Sequence, residues 1–291
     1  MKNVLFLVLG LALTNVGYTC SEDGSSGFVP ENDIYIPVNA KRVGGITETQ
    51  FNDVITKIET IYSPIVSSMG GKLKVNRKWT DGTANANATR AGSTWTVNMY
   101  GGLARHDAIT EDGFALVLCH ELGHHLGGAP KVGGLRGLIN GWASNEGQSD
   151  YFATLKCLRK AFLNDDNAAV VSAMNVPGTL TKRCNETYSN KDEAALCIRS
   201  GMAGDSVSGF FAAMRNATRA SFDTPDSNVV SKNDDNHPAY QCRLDTYFQG
   251  ALCDVSMNED VSQKDEVQGT CHPRLGHKSG LRPLCWFKPK G

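Results

Sequence analysis

Phe51, Val54, Ile55, Ile58, Tyr62 and Ile65 recur at intervals of three and four residues, the spacing of one buried helical face. Thr47 and Gln50 stand in capping-box register ahead of this run, and Ile46 can staple onto Phe51. Gly70-Gly71 ends the helix, and Pro64 is expected to disturb its last turns. The period then changes to two. Leu73, Val75 and Trp79 share one face of a first strand, and Asp81-Gly82 makes a turn. Trp95, Val97 and Met99 alternate with Thr94, Thr96 and Asn98 in a second strand.

This short sheet leads into TEDGFALVLCHELGHHLGG, residues 110–128. Its helix should start at Thr110 as N-cap, carry Glu111 and Asp112 in the first turn, and stop at Gly127-Gly128. A Gly-rich loop separates it from SNEGQSDYFATLKCLRKAFL, a helix expected to be capped by Ser144. Further helical patterns fall near 192–199, 204–220 and 239–252, and the segment after residue 253 looks loop-rich. The whole is α+β, with a small sheet ahead of a mainly helical C-terminal half.

Composition adds a compartment. Lys2 followed by the apolar run Val4–Leu13 and a polar stretch has the shape of a secretory signal over residues 1–20, too short to span a bilayer. Cys20 allows a less favoured lipoprotein reading, since Gly-Tyr-Thr before it is a poor lipobox. No later segment is apolar enough for an integral membrane helix. Residues 21–291 then form one domain with a cysteine-rich tail over about 253–291. Eight of the nine cysteines lie beyond Cys20, an even number that implies several disulfides in an exported protein, secreted or periplasmic. Their connectivity is open, although Cys119 can pair with Cys157. A formal net charge of −1 offers no electrostatic footprint for nucleic acid.

The chemistry sits in HELGH. Histidines four apart share a helix face, so His120 and His124 can hold one ion between their imidazoles, and Glu121 can reach a water bound to it. A hydrolytic zinc needs a third protein ligand. Glu146 supplies it, and Asp150, one turn further along the same face, can orient a ligand histidine through a hydrogen bond. Carboxylates that merely favour a helix N-terminus are the plain alternative for this pair.

HELGH followed by NEGQSD resembles the gluzincin metallopeptidases, whose pattern is HExxH with E-x-x-x-D on a following helix. DNHPAYQCR, with Arg243 six residues after His237, is similar to the H-P-x-x-x-x-R segment of the HtpX and CAAX prenyl protease type. The strand STWTVNMYGGLAR ahead of the zinc helix also resembles that group's layout, and the likeness spans roughly residues 80–250. That group is often membrane-embedded and lacks the cysteine-rich tail, so no relative's substrate carries over.

The resemblance implies a zincin-like fold and a zinc endopeptidase acting on a protein or peptide substrate. Zn²⁺ would be held by His120, His124 and Glu146, with Glu121 as general base and Asp150 behind a ligand histidine. His237 would be a donor to the developing charge, or else an N-cap histidine at a helix start. For Arg243 a surface or structural salt bridge is favoured over a buried carboxylate partner or a substrate contact; His125 reads as packing, and His106, His272 and His277 as surface or loop residues. Trp95–Met99 offers a possible edge strand for an extended peptide, against an ordinary core strand. A zinc-retaining protein without activity and a peptidoglycan peptidase or amidase are the competing functions. Oligomeric state is not legible.

Overall fold

A computed structural model describes residues 27–40, 44–134 and 139–290. The expected signal segment and Cys20 lie outside the described residues. Helix α1 (Glu48–Ser68) starts as its sequence dictates: Gln50 N donates to Thr47 Oγ1, and Thr47 N donates to Gln50 Oε1. Phe51, Val54, Ile55, Ile58 and Tyr62 are all buried. Pro64 does not break the helix, which runs on to Ser68.

Strands β1 (Lys72–Lys78), β2 (Ala86–Ala91) and β3 (Thr94–Tyr100) form one sheet in the order β1-β3-β2, β1 parallel and β2 antiparallel to β3. Trp95, Val97 and Met99 are buried toward the core, so their alternation was correctly placed. Their strand is nonetheless the centre of the sheet, with a partner on each side, and is not the edge suggested for peptide binding. Strand β2 has no counterpart in the sequence reading, because its inward residues are Ala86 and Ala88.

A short helix α2 (Gly101–Ala104) leads into α3 (Glu111–Leu126), where Gly113 N donates to the predicted cap Thr110. From Gly113 to Leu126 every residue of α3 is buried. It packs against α1, the sheet and α8 (Lys191–Arg215), a single helix where two had been expected. A hairpin of β4 (Lys131–Gly134) and β5 (Ile139–Ser144) follows, then α4 (Glu146–Phe152). The cap of α4 is Asn145, whose Oδ1 accepts from Gln148 N, and not Ser144. Ser144 ends β5 and gives its hydroxyl to Gly128 O.

The α4 helix continues through a π-helical stretch (Ala153–Cys157) into α5 (Leu158–Ala161). Helices α6 (Asn167–Ser172), α7 (Gly178–Thr187) and α9 (Tyr240–Leu252) complete the helical half, with a 3₁₀ turn at Pro273–Leu275. Among the described residues no helix is long and apolar enough to cross a membrane.

All eight cysteines beyond Cys20 are paired: Cys119–Cys157, Cys184–Cys197, Cys242–Cys285 and Cys253–Cys271. Cys119–Cys157 ties α3 to the α4 continuation directly beside His120. Cys242–Cys285 brings Trp286 against the first turn of α4, where a Cβ on Gly147 would lie 2.1 Å from the indole. Trp286 O also accepts from Asp234 N, and Asp234 O accepts from Asn145 Nδ2, so the tail braces the loop that carries His237.

Candidate metal centre

Helices α3 and α4 cross at Gly123, the third residue after His120. A Cβ there would sit 2.8 Å from the Cα of Ser149, closer than real side chains approach backbone. The missing side chain lets the two helices meet and carries Glu146 to the histidine pair. His120 and His124 face it with ring centroids 4.8 Å apart and planes at 88°.

Each imidazole is oriented from behind. His120 Nδ1 donates to Asp150 Oδ1 at 2.7 Å, and His124 Nδ1 donates to Ser144 O at 2.9 Å. With Nδ1 so engaged, both Nε2 atoms turn toward Glu146, at 3.3 Å from Oε2 for His120 and 3.7 Å from Oε1 for His124. Tetrahedral zinc with ligand bonds of about 2.0–2.1 Å requires donor atoms roughly 3.4 Å apart. His120 Nε2, His124 Nε2 and Glu146 Oε2 are buried without hydrogen-bond partners, which an ion would supply. The donor set therefore fits a metal. Two other clusters contain cysteines, Asp226 with Cys242 and Cys285, and Asp254 with Cys271 and His277, but their sulfurs are in disulfides.

Glu121 is fully buried and neither of its carboxylate oxygens has a partner. Burial pushes it up to about 8, against the pull of His120. Burial opposes charge on His120 too, but Asp150 and Glu146 overcome it and raise the imidazole to about 9. Burial lowers His124 to about 4. Glu146 pays the same desolvation, yet His237, His124 and His120 hold it well below the ordinary carboxylate range.

Arg243 takes the less favoured of its readings, the pairing with a buried carboxylate. It is fully buried and grips Asp150 with two bonds of 2.8 Å, from Nε to Oδ2 and from Nη2 to Oδ1. Tyr247, one turn along α9, donates its hydroxyl to Asp150 Oδ1 at 2.7 Å. Burial would raise Asp150, but Arg243 keeps it below its usual value. Asp150 thus transmits the position of α9 to His120. Neither Arg243 nor Tyr247 could be assigned this partner from spacing.

His237 is not a helix cap, since α9 begins at Tyr240 after Ala239. Its Nε2 lies 3.5 Å from Glu146 Oε2 and donates to Gly27 O at 2.9 Å. His125 is packing, stacked between Trp95 and Trp142 at 5.4 and 4.7 Å, and burial lowers it to about 3. His106 packs its ring on Phe210 and His277 is partly exposed, while His272 lies in a loop as expected but is buried there.

No family model matches the chain, and neither curated proteins nor solved structures give a match. The centre is defined by its own geometry.

Proposed function

We propose that this chain is a zinc-dependent endopeptidase of gluzincin type, with a zincin-like fold, acting on a protein or peptide substrate in an oxidising compartment outside the cytoplasm. One observation carries the reading. Three buried, unpartnered donor atoms of His120, His124 and Glu146 converge beside a fourth group, Glu121, whose carboxylate is also buried and unpartnered. A purely structural zinc site has no use for that second carboxylate.

His120, His124 and Glu146 would hold Zn²⁺, which when bound supplies Lewis acidity and lowers the pKa of water to about 7. Glu121 takes the proton from the attacking water and returns it to the leaving amine, help usually worth about 10²–10⁴ in rate. With a dication bound, the Glu121 carboxyl would return toward the ionised form that this role needs. His237 Nε2–H already bonds a peptide carbonyl at the edge of the centre, the kind of group on which charge develops during hydrolysis. Its loss should remove about 2.7–4 kcal/mol of transition-state stabilisation. Asp150 and Arg243 hold His120 in the tautomer that presents Nε2.

The near-complete burial of the centre favours one second reading, a zinc-retaining binding protein without turnover. The test is zinc per chain together with hydrolysis of casein and of muropeptides, for wild type and Glu121→Gln. One zinc in both proteins, with casein hydrolysis only in the wild type, is the expected result. One zinc without hydrolysis of any substrate supports the binding protein, and hydrolysis of muropeptides alone supports a cell-wall enzyme. Absence of zinc in the oxidised protein overturns the metal centre.

A further inference from the structure

What covers the centre is the chain itself. Ahead of the first helix, Gly27, Phe28 and Val29 cross it, and consecutive backbone groups of theirs are bonded in turn. Gly27 O accepts from His237 Nε2 at 2.9 Å. Phe28 N donates to Ala86 O at 2.8 Å, and Phe28 O accepts from Arg243 Nη1 at 2.7 Å. Val29 N donates to Asn85 Oδ1 at 3.2 Å, and Val29 O accepts from Asn85 Nδ2 at 3.0 Å.

The Phe28 ring fills a pocket made by parts of the metal centre. It meets the His120 ring edge-on at 4.9 Å, stacks on Phe211 at 5.5 Å and lies 4.4 Å from the Arg243 guanidinium. Main-chain bonds for affinity and one side chain in a pocket are how proteins hold an extended peptide. Two of the groups doing so, His237 and Arg243, also contact the ligand Glu146 or the carboxylate behind His120.

Beyond Val29 the segment changes character. Pro30, Glu31 and Asp33 are exposed. The chain is then anchored again, with Ala84 N donating to Ile34 O, Ile36 N to Gly82 O, and Arg105 gripping Ile36 O. An exposed link thus joins a fixed anchor to a peptide seated over the metal centre.

We propose that Gly27–Val29 is a built-in pseudosubstrate, occupying the place of a bound peptide and holding the centre at a small fraction of its full activity until it is displaced. The peptide-binding role of the place rests on the endopeptidase reading; the covering of the metal does not. The bound segment explains why donor atoms arranged for a reaction are sealed from water.

The test inserts the recognition sequence of a site-specific protease after Glu31 in the full, zinc-loaded, oxidised chain. Zinc release to excess colorimetric chelator and casein hydrolysis are followed before and after cutting, with mass measurement to establish that the short piece has left. Both rates should rise at least tenfold, and a synthetic Gly-Phe-Val-Pro-Glu peptide should reverse both. If the cut piece stays bound, Phe28→Ala in the same protein removes its anchor ring and should give the same rise. Faster zinc release without hydrolysis sustains the covering segment and sinks the peptidase reading. Hydrolysis that is equal before and after the piece leaves, with unchanged zinc release, overturns the pseudosubstrate and spares the peptidase.

Discussion

Replacing Asp150 by asparagine keeps the shape of the side chain and removes its charge. The native carboxylate accepts four hydrogen bonds, one from His120, two from Arg243 and one from Tyr247. Asp150 and Arg243 are both fully buried, so the variant leaves a guanidinium without a counter-charge in the interior. Breaking a buried pair by removing one partner costs about 3–5 kcal/mol. For a chain of this size that is a fall of about 10 °C in Tm. The lost orienting bond to His120 should weaken zinc binding about 10–100-fold. Denaturant unfolding of the zinc-free, disulfide-intact protein reads the first effect, and competition with a chelator reads the second. Arg243→Met should be similarly destabilising alone, and the double variant should recover at least about 2 kcal/mol relative to the sum of the singles. A loss below about 1 kcal/mol, with zinc affinity within twofold of wild type, would refute the claim that this pair positions the ligand. The same pair gives a pH signature. Because Asp150 is held below its unfolded pKa, its stabilisation is complete above that unfolded value and is lost as pH falls through the lower folded one.

Three further outcomes are expected. His120 is raised to about 9 without metal and must be neutral to bind it, so zinc loading at pH 7 expels at least one proton. Affinity should then rise about tenfold per pH unit between roughly pH 6 and 8 for each proton displaced, and calorimetry in buffers of different ionisation enthalpy checks the count. Gly123→Ala would force α4 away from α3, because the nearest obstructing atoms are the backbone of Ser149; overpacking of this kind costs about 1–3 kcal/mol, and zinc affinity should fall with it while Gly178→Ala, with no heavy atom near its Cβ and no left-handed backbone, serves as a control for packing alone. Removing Cys119–Cys157 as a double alanine variant opens a 38-residue loop, worth about 4 kcal/mol of unfolded-state entropy, and should loosen the centre through the neighbour of His120.

The legible parts of the molecule are those in which chemistry and period lie close together in the chain. Thr47 with Gln50, and Thr110 ahead of an unbroken apolar run, mark their helices through caps that need only three or four residues. His120, His124, Glu146 and Asp150 declare themselves because helical spacing places each pair on one face. The Cys119–Cys157 pairing was one open possibility among many, and the structure realises it between the two helices that bring His120, His124 and Glu146 together. Strand β2 escaped because alanine is small enough to face a core without making a hydrophobic pattern. Arg243 escaped because a long cation gives no sign of which carboxylate it will meet, and Ser144 because the group it gives His124 is a backbone carbonyl that any residue owns. The seating of Gly27–Val29 escaped for a related reason: its bonds are main-chain bonds to residues as much as 215 positions away.

Trp286 packs on Gly147, and the loop bearing His237 is tied to the Trp286 backbone. This contact imposes an order of events on biosynthesis. While residues near 285 are still inside the ribosome, the first turn of α4 lacks the indole that packs on it. Cys242 at that stage has no partner to close with. A nascent chain can present HELGH to an ion long before it can present Glu146 on a braced helix. Final metal capture therefore belongs after the Cys242–Cys285 bond has closed and not during synthesis of the chain.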